Sequence, residues 1–389
     1  MILLILSWTL ALLGLAQAIA ALRGMPRLPD LTRAEPPVPI SAAGPDLSVI
    51  VPACNQEAAI AATLRSLLAS TGLRLHILAV DDRSTDHTGV LMDEVAAEAA
   101  STPHTFQVIH IATLPAGWLG KPHALAMAAA QARAPWLLFT DGDVFFAPDA
   151  LARTLAYASS EQADHVVLVP TLIVRSWAER AIQAAMQILA QWTIHLWKVA
   201  DPSTRDFIGV GGFNLIRREA YQSVGGYEAM PFEVLDDLRM GWKLKRSGFC
   251  QRVVLGPGLV HIRWIVGALS VISLVEKNGF SLYRFRTPLH LLATLGLALQ
   301  AVIPIAALFG GLWTISASVV FLLALVLNYQ AHRRLTLTPA WYALFYCPCV
   351  AIVGYAFLRS MVLALVRGGI RWRGTFYDLA TLRRNAGRW

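Results

Sequence analysis

Apolar positions follow two different rhythms in this chain. Toward both ends they form long unbroken runs, and in the middle they come as short bursts closed by polar clusters. Ile2 to Leu22 is almost continuously apolar, about the length that crosses ~30 Å of hydrocarbon. Its arginines follow it rather than precede it, so it reads as an uncleaved membrane anchor. Only Ala16-Gln17-Ala18 resembles a cleavage site and speaks for a signal peptide instead. From Pro288 three further runs are long enough to span: Leu289 to Phe309, Thr314 to Tyr329 and Trp341 to Val366. Gly310-Gly311 and the Arg333 region separate them.

Between these ends the pattern alternates. Leu47 to Pro52, Leu75 to Val80, Phe106 to Ile111, Trp136 to Thr140 and Val166 to Val174 predict strands. Ala58 to Leu68, Thr88 to Ala100 and Ala124 to Ala132 predict helices. Strands alternating with helices give an α/β domain with a mostly parallel, doubly wound sheet, whose ligands bind beyond the carboxyl ends of the strands. The clusters Asn55-Gln56-Glu57, Asp81-Asp82 and Asp141-Gly142-Asp143 fall at those ends. Ala178 to Val199 predicts one amphipathic helix, on the sheet or in the membrane interface. The expected division is an anchor at 1–22, a Pro-rich linker at 23–45 and the α/β domain at 46–250. An interfacial segment at 251–287, spanning segments at 288–366 and a basic tail at 367–389 complete it.

Composition supports a membrane protein. Hydrophobic residues make up 56% and charged residues 15%, where soluble domains have roughly 45–50% and 25%. The net charge of +8 comes largely from arginines flanking apolar runs: Arg23, Arg27 and Arg33, then Arg333 and Arg334, then Arg367, Arg371 and Arg373. Membrane proteins place positive charge on the cytoplasmic side in this way, which sets the α/β domain in the cytoplasm of a multi-pass cell-membrane protein. Three crossings after a cytoplasmic domain would leave the basic tail outside, so one segment is expected to be re-entrant or interfacial. The basic residues form no aromatic-interleaved stripe, and nucleic acid is not expected as a partner. Cys54, Cys250, Cys347 and Cys349 form no C-x-x-C pair, which points to neither a zinc site nor a disulfide framework.

The polar clusters carry the chemistry. Magnesium and manganese ions take oxygen ligands and share them between carboxylates and a substrate's phosphates. Asp141 and Asp143 at a strand end suit such an ion, and Gly142 keeps the turn open to a diphosphate. Asp81 and Asp82 suit a nucleotide base or ribose, with Ser84, Thr85 or Asp86 capping the next helix. Lys121, in Gly117-Trp-Leu-Gly-Lys-Pro122, suits a phosphate at a helix start, without the spacing of an ATP-hydrolysing loop. Asp236-Asp237 opens a helix and suits a base that takes a hydroxyl proton, although adjacent acids also favour a helix start by themselves. Phe207 to Asn214 is glycine-rich and allows a ligand close to the backbone.

In this order the pieces resemble the family 2 glycosyltransferases of the GT-A fold, over about Ser48 to Gly248. Val51-Pro-Ala-Cys-Asn-Gln-Glu57 looks like the family's opening nucleotide loop, which brings in Pro52, Asn55 and Glu57. Val80-Asp-Asp-Arg-Ser-Thr-Asp86 looks like its base-binding loop, and Phe139-Thr-Asp-Gly-Asp143 like its metal motif. Leu235-Asp-Asp-Leu238 looks like the acidic pair whose second member is the catalytic base, here Asp237, with Asp236 as the first. Phe213 to Tyr221 and Gly225-Gly226-Tyr227 match the run-up to that motif. Gly117 to Lys121, Arg263-Trp264 and Trp372 to Tyr377 are similar to lipid-directed members, among them ceramide glucosyltransferases and hopanoid-associated glycosyltransferases. Ceramide enzymes carry Gln or Arg where Val260 stands here. The resemblance implies an inverting transferase that uses Mg²⁺ or Mn²⁺ and moves sugar from a UDP-sugar to a membrane lipid. It implies that Arg263 and Trp264 hold diphosphate and acceptor. A polyprenyl-phosphate sugar transferase and a polysaccharide synthase stay open as enzymatic alternatives. A membrane scaffold or transporter subunit is the non-enzymatic one, although the apolar runs are nearly free of charge.

Overall fold

Residues 1–33, 44–372 and 375–387 are described by a computed structural model. Residues 34–43 of the expected linker, Arg373, Gly374 and the last two residues lie outside them. In chain order the helices are α1 (Ile2–Gly24), α2 (Ile60–Leu68), α3 (Thr88–Glu98), α4 (Gly120–Gln131) and α5 (Ala150–Ser160). Next come α6 (Trp177–Ala190), α7 (Arg218–Ser223), α8 (Asp236–Arg246), α9 (Val271–Leu282) and α10 (Thr287–Ala306). The last are α11 (Leu312–Ala331), α12 (Arg333–Thr336), α13 (Tyr346–Val366) and α14 (Leu379–Asn385). The strands are β1 (Leu47–Ala53), β2 (Leu75–Asp82), β3 (Thr105–Ile111), β4 (Trp136–Phe139), β5 (Val144–Phe146) and β6 (His165–Leu168). They continue with β7 (Thr171–Leu172), β8 (Asn214–Arg217), β9 (Gln251–Val254), β10 (Val260–Ile262), β11 (Gly369–Trp372) and β12 (Thr375–Asp378).

The chain divides into two units. The first, residues 29–173 and 198–263, holds a sheet of order β3-β2-β1-β4-β8-β6-β9. β1 pairs in parallel with β2 and β4, β2 with β3, and β6 with β9, while β8 is antiparallel to β4 and β6. Every strand but β8 therefore points the same way, and their carboxyl ends share one edge. All seven residues of β1 are buried, as expected of a parallel strand with helices on both faces. Val49, Val51 and Ile77 pack into one cluster with α2 and α3, and Ile50, Leu78 and Val80 into another with α4 and α8.

The structure corrects the sequence reading in four places. The strand expected at Val166 to Val174 is two, because Val169-Pro170 interrupts it. Pro170 has no N–H for a ladder, and β7 leaves for a second, three-stranded sheet of order β5-β10-β7. The α/β unit does not end at 250. β9 pairs with β6 inside the main sheet, and the unit runs to Arg263. The helix expected at Ala178 to Val199 is α6, which stops at Ala190 and gives way to a turn through Thr193 and Ile194, β-branched residues that are poorer helix formers. The helix expected from Ala124 begins four residues earlier. Leu119 is extended as its cap, and Pro122 sits in the first turn, where its missing N–H costs nothing.

The second unit comprises residues 1–28, 174–197 and 264–389. Among the described residues, four of its helical stretches are long and apolar enough to cross a membrane: Ile2–Arg27, Thr287–Phe309, Leu312–Ala331 and Ala340–Val366. α1 packs along α11, with Gly14 giving room to the Phe321 ring. α9 and α10 pack on α13, where His290 Nε2 meets the Phe357 carbonyl at 2.8 Å. The expected basic tail contains the antiparallel pair β11–β12 followed by α14.

Candidate functional site

The acids expected at the strand ends separate into two groups. Asn55, at the end of β1, has a positive φ of 54°, which Asn tolerates better than most residues. Its N–H donates to Ser84 Oγ at 3.1 Å, and its Oδ1 accepts from the Thr85 N–H at 2.8 Å. Glu57 accepts from the His87 N–H at 3.1 Å, and its own N–H donates to Asp86 at 3.2 Å. These bonds clasp the loop after β1 to the loop after β2. The His87 N–H holds the Glu57 carboxyl below its ordinary range. Pro52 is buried in β1, past its last register pair with β4.

Asp81 accepts from the Ser84 N–H at 3.2 Å and meets His110 Nδ1 at 3.2 Å. Asp82 is fully buried and takes a two-pronged bond from Arg83, 2.7 Å to Nε and 3.2 Å to Nη2. Gly120, the first residue of α4, lies directly against this pair, since a Cβ there would collide with the Asp82 carboxylate and the Arg83 guanidinium. The next residue, Lys121, therefore projects from a backbone that rests on the Asp82–Arg83 pair.

Lys121 gathers the second group. Its Nζ lies 2.8 Å from Asp141 Oδ1 and 3.5 Å from Asp236 Oδ2, with only 12% of the side chain exposed. Burial alone would push the ammonium pKa down. The carboxylates of Asp141, Asp236 and Asp237 outweigh that and hold it above the lysine range. Asp236 and Asp237 occupy the first turn of α8. Burial and the neighbouring Asp236 push the Asp237 carboxyl up to about 6, against the pull of Lys121 and of the Leu238 N–H, which donates to Asp237 Oδ1 at 2.7 Å. A cavity of about 10 Å³, room for roughly one water, is lined by Lys121, Gly211, Asn214, Tyr227, Asp236 and Asp237 among others. Asp143 stands half-buried just before β5. Arg263 closes the α/β unit, and Trp264, 39% exposed, begins the last segment of the second unit, so that expected pair straddles the division.

The glycine-rich stretch 207–214, together with Gly241, His165 and Gln251, which the sequence did not single out, holds the second group together. A Cβ on Gly211 would lie 2.6 Å from Asp141 Oδ2 and 3.4 Å from Asp237 Oδ2. Gly211 thus leaves a cradle between the two carboxylates that any side chain would fill. Gly209 and Gly241 let the glycine-rich loop lie on α8, because Cβ atoms there would strike the Asp237 and Ile208 carbonyls. Gln251, on β9, clamps that loop. Its Oε1 accepts from the Ile208 N–H at 3.1 Å, and its Nε2 meets His165 Nδ1 at 2.6 Å. His165 Nε2 bonds Asn214 Oδ1 in turn. Burial pushes the His165 pKa down to about 4, so the ring is neutral. Asn214 Nδ2 is buried without a hydrogen-bond partner, in a residue that lines the cavity. Phe139 packs edge-to-face against Tyr227 and at a tilt against Tyr221, at centroid distances of 5.0 and 5.3 Å. The sequence signal for this shell was the glycine spacing in 207–214; Gln251, beside Arg252 at the start of β9, carried none.

The Asp141 carboxylate suits a hard cation. It offers oxygen only, one of its oxygens already carries the Lys121 ammonium, and the other borders the Gly211 cradle.

Residues 48–225 match the family model described as "Glycosyl transferase family 2". None of the curated proteins matches the chain by sequence. Among solved structures, the mannosyltransferase PcManGT from Pyrobaculum calidifontis, in complex with GDP-Man and Mn²⁺, has a TM-score of 0.54 at 19% identity. That likeness covers 93% of this chain and 99% of the other, and it shows a shared GT-A fold. S. aureus TarS has a TM-score of 0.40 at 17% identity, over 73% of this chain and 43% of its own. The family match spans the β1 and β2 loops and the Asp141 motif, and the α/β unit presents them at one sheet edge beside Asp236 and Asp237; the chain is a glycosyltransferase whose residues 48–225 form a family 2 domain.

Proposed function

We propose that the chain is an inverting, metal-dependent transferase that moves a sugar from a nucleotide-sugar donor to a membrane lipid, with Asp237 as the general base. One observation carries the reading: Asp141, Asp236 and Asp237, from two distant stretches of chain, surround one buried ammonium, Lys121. Asp81 or Asp82, at the adjoining strand end, serves the nucleoside. Asp141 and Asp143 would hold the cation. Among the described residues no three His, Cys, Asp or Glu side chains form a complete metal cage, so a bound ion would draw its other ligands from phosphate or water. A divalent ion there would offset charge on the leaving diphosphate.

The rest falls to side chains. Lys121 adds a fixed positive charge beside the diphosphate. As the acceptor hydroxyl oxygen bonds to the anomeric carbon, the bond from that carbon to the diphosphate breaks and the hydroxyl proton passes to Asp237. A carboxyl raised to about 6 is largely ionised at neutral pH, yet more basic than an ordinary aspartate, which suits that transfer. The four apolar stretches support a lipid acceptor, since they would keep the α/β unit at the membrane. The positive-inside bias supports a cytoplasmic orientation.

The donor motifs imply UDP, while the Pyrobaculum structure contains GDP-Man, so both belong in the test. Purified chain is incubated with Mn²⁺ or Mg²⁺, radiolabelled UDP- and GDP-sugars and a membrane lipid extract, and the organic phase is counted. Metal-dependent label in a lipid is the expected result. Asp237→Asn should retain nucleotide binding and lose transfer. Full transfer by that variant would overturn the base assignment, and label that enters only water-soluble or polymeric product would overturn the lipid acceptor.

A further inference from the structure

The membrane unit contains a cavity of its own, with a volume of about 230 Å³. Three elements build it. α9 supplies Ser273, Glu276 and Lys277, the end of α13 supplies Ser360 and Arg367, and β11 supplies Arg371. Ser360 Oγ fixes α9 against α13 by donating to the Glu276 carbonyl at 2.8 Å and accepting from the Phe280 N–H at 3.0 Å. Gly279 permits this closeness, since a Cβ there would lie 3.1 Å from Ser360 Oγ. The walls are thus set by backbone contact between two helices rather than by mobile side chains.

The charge of the cavity is unbalanced. Among the described residues lining it, Glu276 is the one carboxylate, and it is taken up by two guanidinium groups, Arg359 at 3.3 Å and Arg367 at 2.8 Å. Lys277 is held in place by its ammonium, 4.4 Å above the Trp372 ring. Arg371 lines the same space from an exposed position on β11. Three cations against one committed carboxylate make a site for an anion. Its position narrows the choice. The apolar stretch Ala340–Val366 ends one residue before Arg367. A membrane span ends at headgroup level, where lipid phosphates lie and where basic pockets between helices bind anionic headgroups.

We propose that this cavity binds the headgroup phosphate of an anionic phospholipid, with Lys277, Arg367 and Arg371 as its cationic ligands. The site is independent of sugar transfer and stands whether or not the donor and acceptor assignments hold.

The test uses full-length chain, purified and delipidated in a neutral detergent. It is titrated by calorimetry with short-chain phosphatidylglycerol, short-chain phosphatidylcholine and inorganic phosphate. Phosphatidylglycerol should bind saturably and at least about tenfold tighter than either other probe. Arg371→Gln and Lys277→Gln should each weaken it about fivefold, while Arg371→Lys and Lys277→Arg restore most of the affinity. Equal affinity for the two lipids overturns the proposal and requires no variant. So does unchanged phosphatidylglycerol binding in the Arg371→Gln chain, a substitution at an exposed position that the fold tolerates. Inorganic phosphate binding as tightly as the lipid would assign the site to free phosphate and remove the lipid.

Discussion

Two sets of acidic side chains lie beyond the same edge of the main sheet under opposite conditions. Glu57 and Asp86 are solvent-accessible; each accepts a backbone N–H of the facing loop, and Asp86 also accepts the Thr88 N–H of its own loop. Asp141, Asp236 and Asp237 are clustered around one buried lysine, with Asp236 buried and Asp141 partly exposed. The first environment lowers a carboxyl pKa and the second raises one. An acid whose lone pairs are occupied by neighbouring N–H groups serves the turn it closes. An acid whose charge rests on one shared ammonium is placed to take a proton or exchange a cation. The two sets look alike in sequence, and this difference separates structural from chemical carboxylates.

Substitution should expose that contrast most sharply at Asp237. Asparagine there should cut initial transfer rates by about 10²–10⁴-fold with nucleotide affinity nearly intact; a rate within tenfold of wild type would end its role as base. For the unaltered chain, the rate should fall as pH drops through about 6, because Asp237 must be ionised to accept a proton. A profile flat from pH 7 to 5 would count against the assignment.

The next effect concerns the buried support behind the cluster. His165 is neutral in the fold with its pKa near 4, whereas the unfolded chain protonates it below about 6.5. Its contribution is therefore complete above pH 6.5 and is lost as pH falls toward 4, an order-of-magnitude loss of about 3 kcal/mol. Thermal midpoints of wild type and His165→Gln, followed from pH 7 to 4.5, should converge as pH falls. A constant gap between them would refute it.

Gly211→Ala tests the cradle. Its methyl group would meet Asp141 Oδ2 at 2.6 Å, and metal-dependent nucleotide affinity should fall about 10–100-fold, measured by calorimetry with and without Mn²⁺. The smallest effect is expected at Glu57. Glu57→Gln keeps an acceptor for the His87 N–H, and transfer rates should stay within about twofold of wild type. A Glu57→Gln loss as large as that of Asp237→Asn would erase the distinction between the two sets.

Much of this was legible in the chain. Leu47 to Ala53 and Leu75 to Asp82 announce themselves by unbroken apolar runs ending in polar residues, a property of neighbours in sequence. The paired acids at 141 and 236–237 stood out for the same reason. Lys121 was visible as a basic residue near a helix start, but its partners were not, because Asp141 and Asp236 lie 20 and 115 positions away. The break at Pro170 was present in sequence, yet the transfer of β7 to another sheet depends on β10, far downstream. Gln251 looked like the start of an interfacial segment because its hydrogen-bond partners come from other elements.

Sequence alone determined the periodicities: which stretches are apolar enough to cross a membrane, which alternate as strand and helix, and which acids end the strands. These are local, since they follow from hydrophobic spacing and turn chemistry within a few residues. Only the tertiary structure decided which carboxylates lose their water, which meet a shared cation and which glycines leave space between them. Desolvation and Coulomb attraction act through space, and residues far apart in sequence become neighbours only when the sheet brings them together.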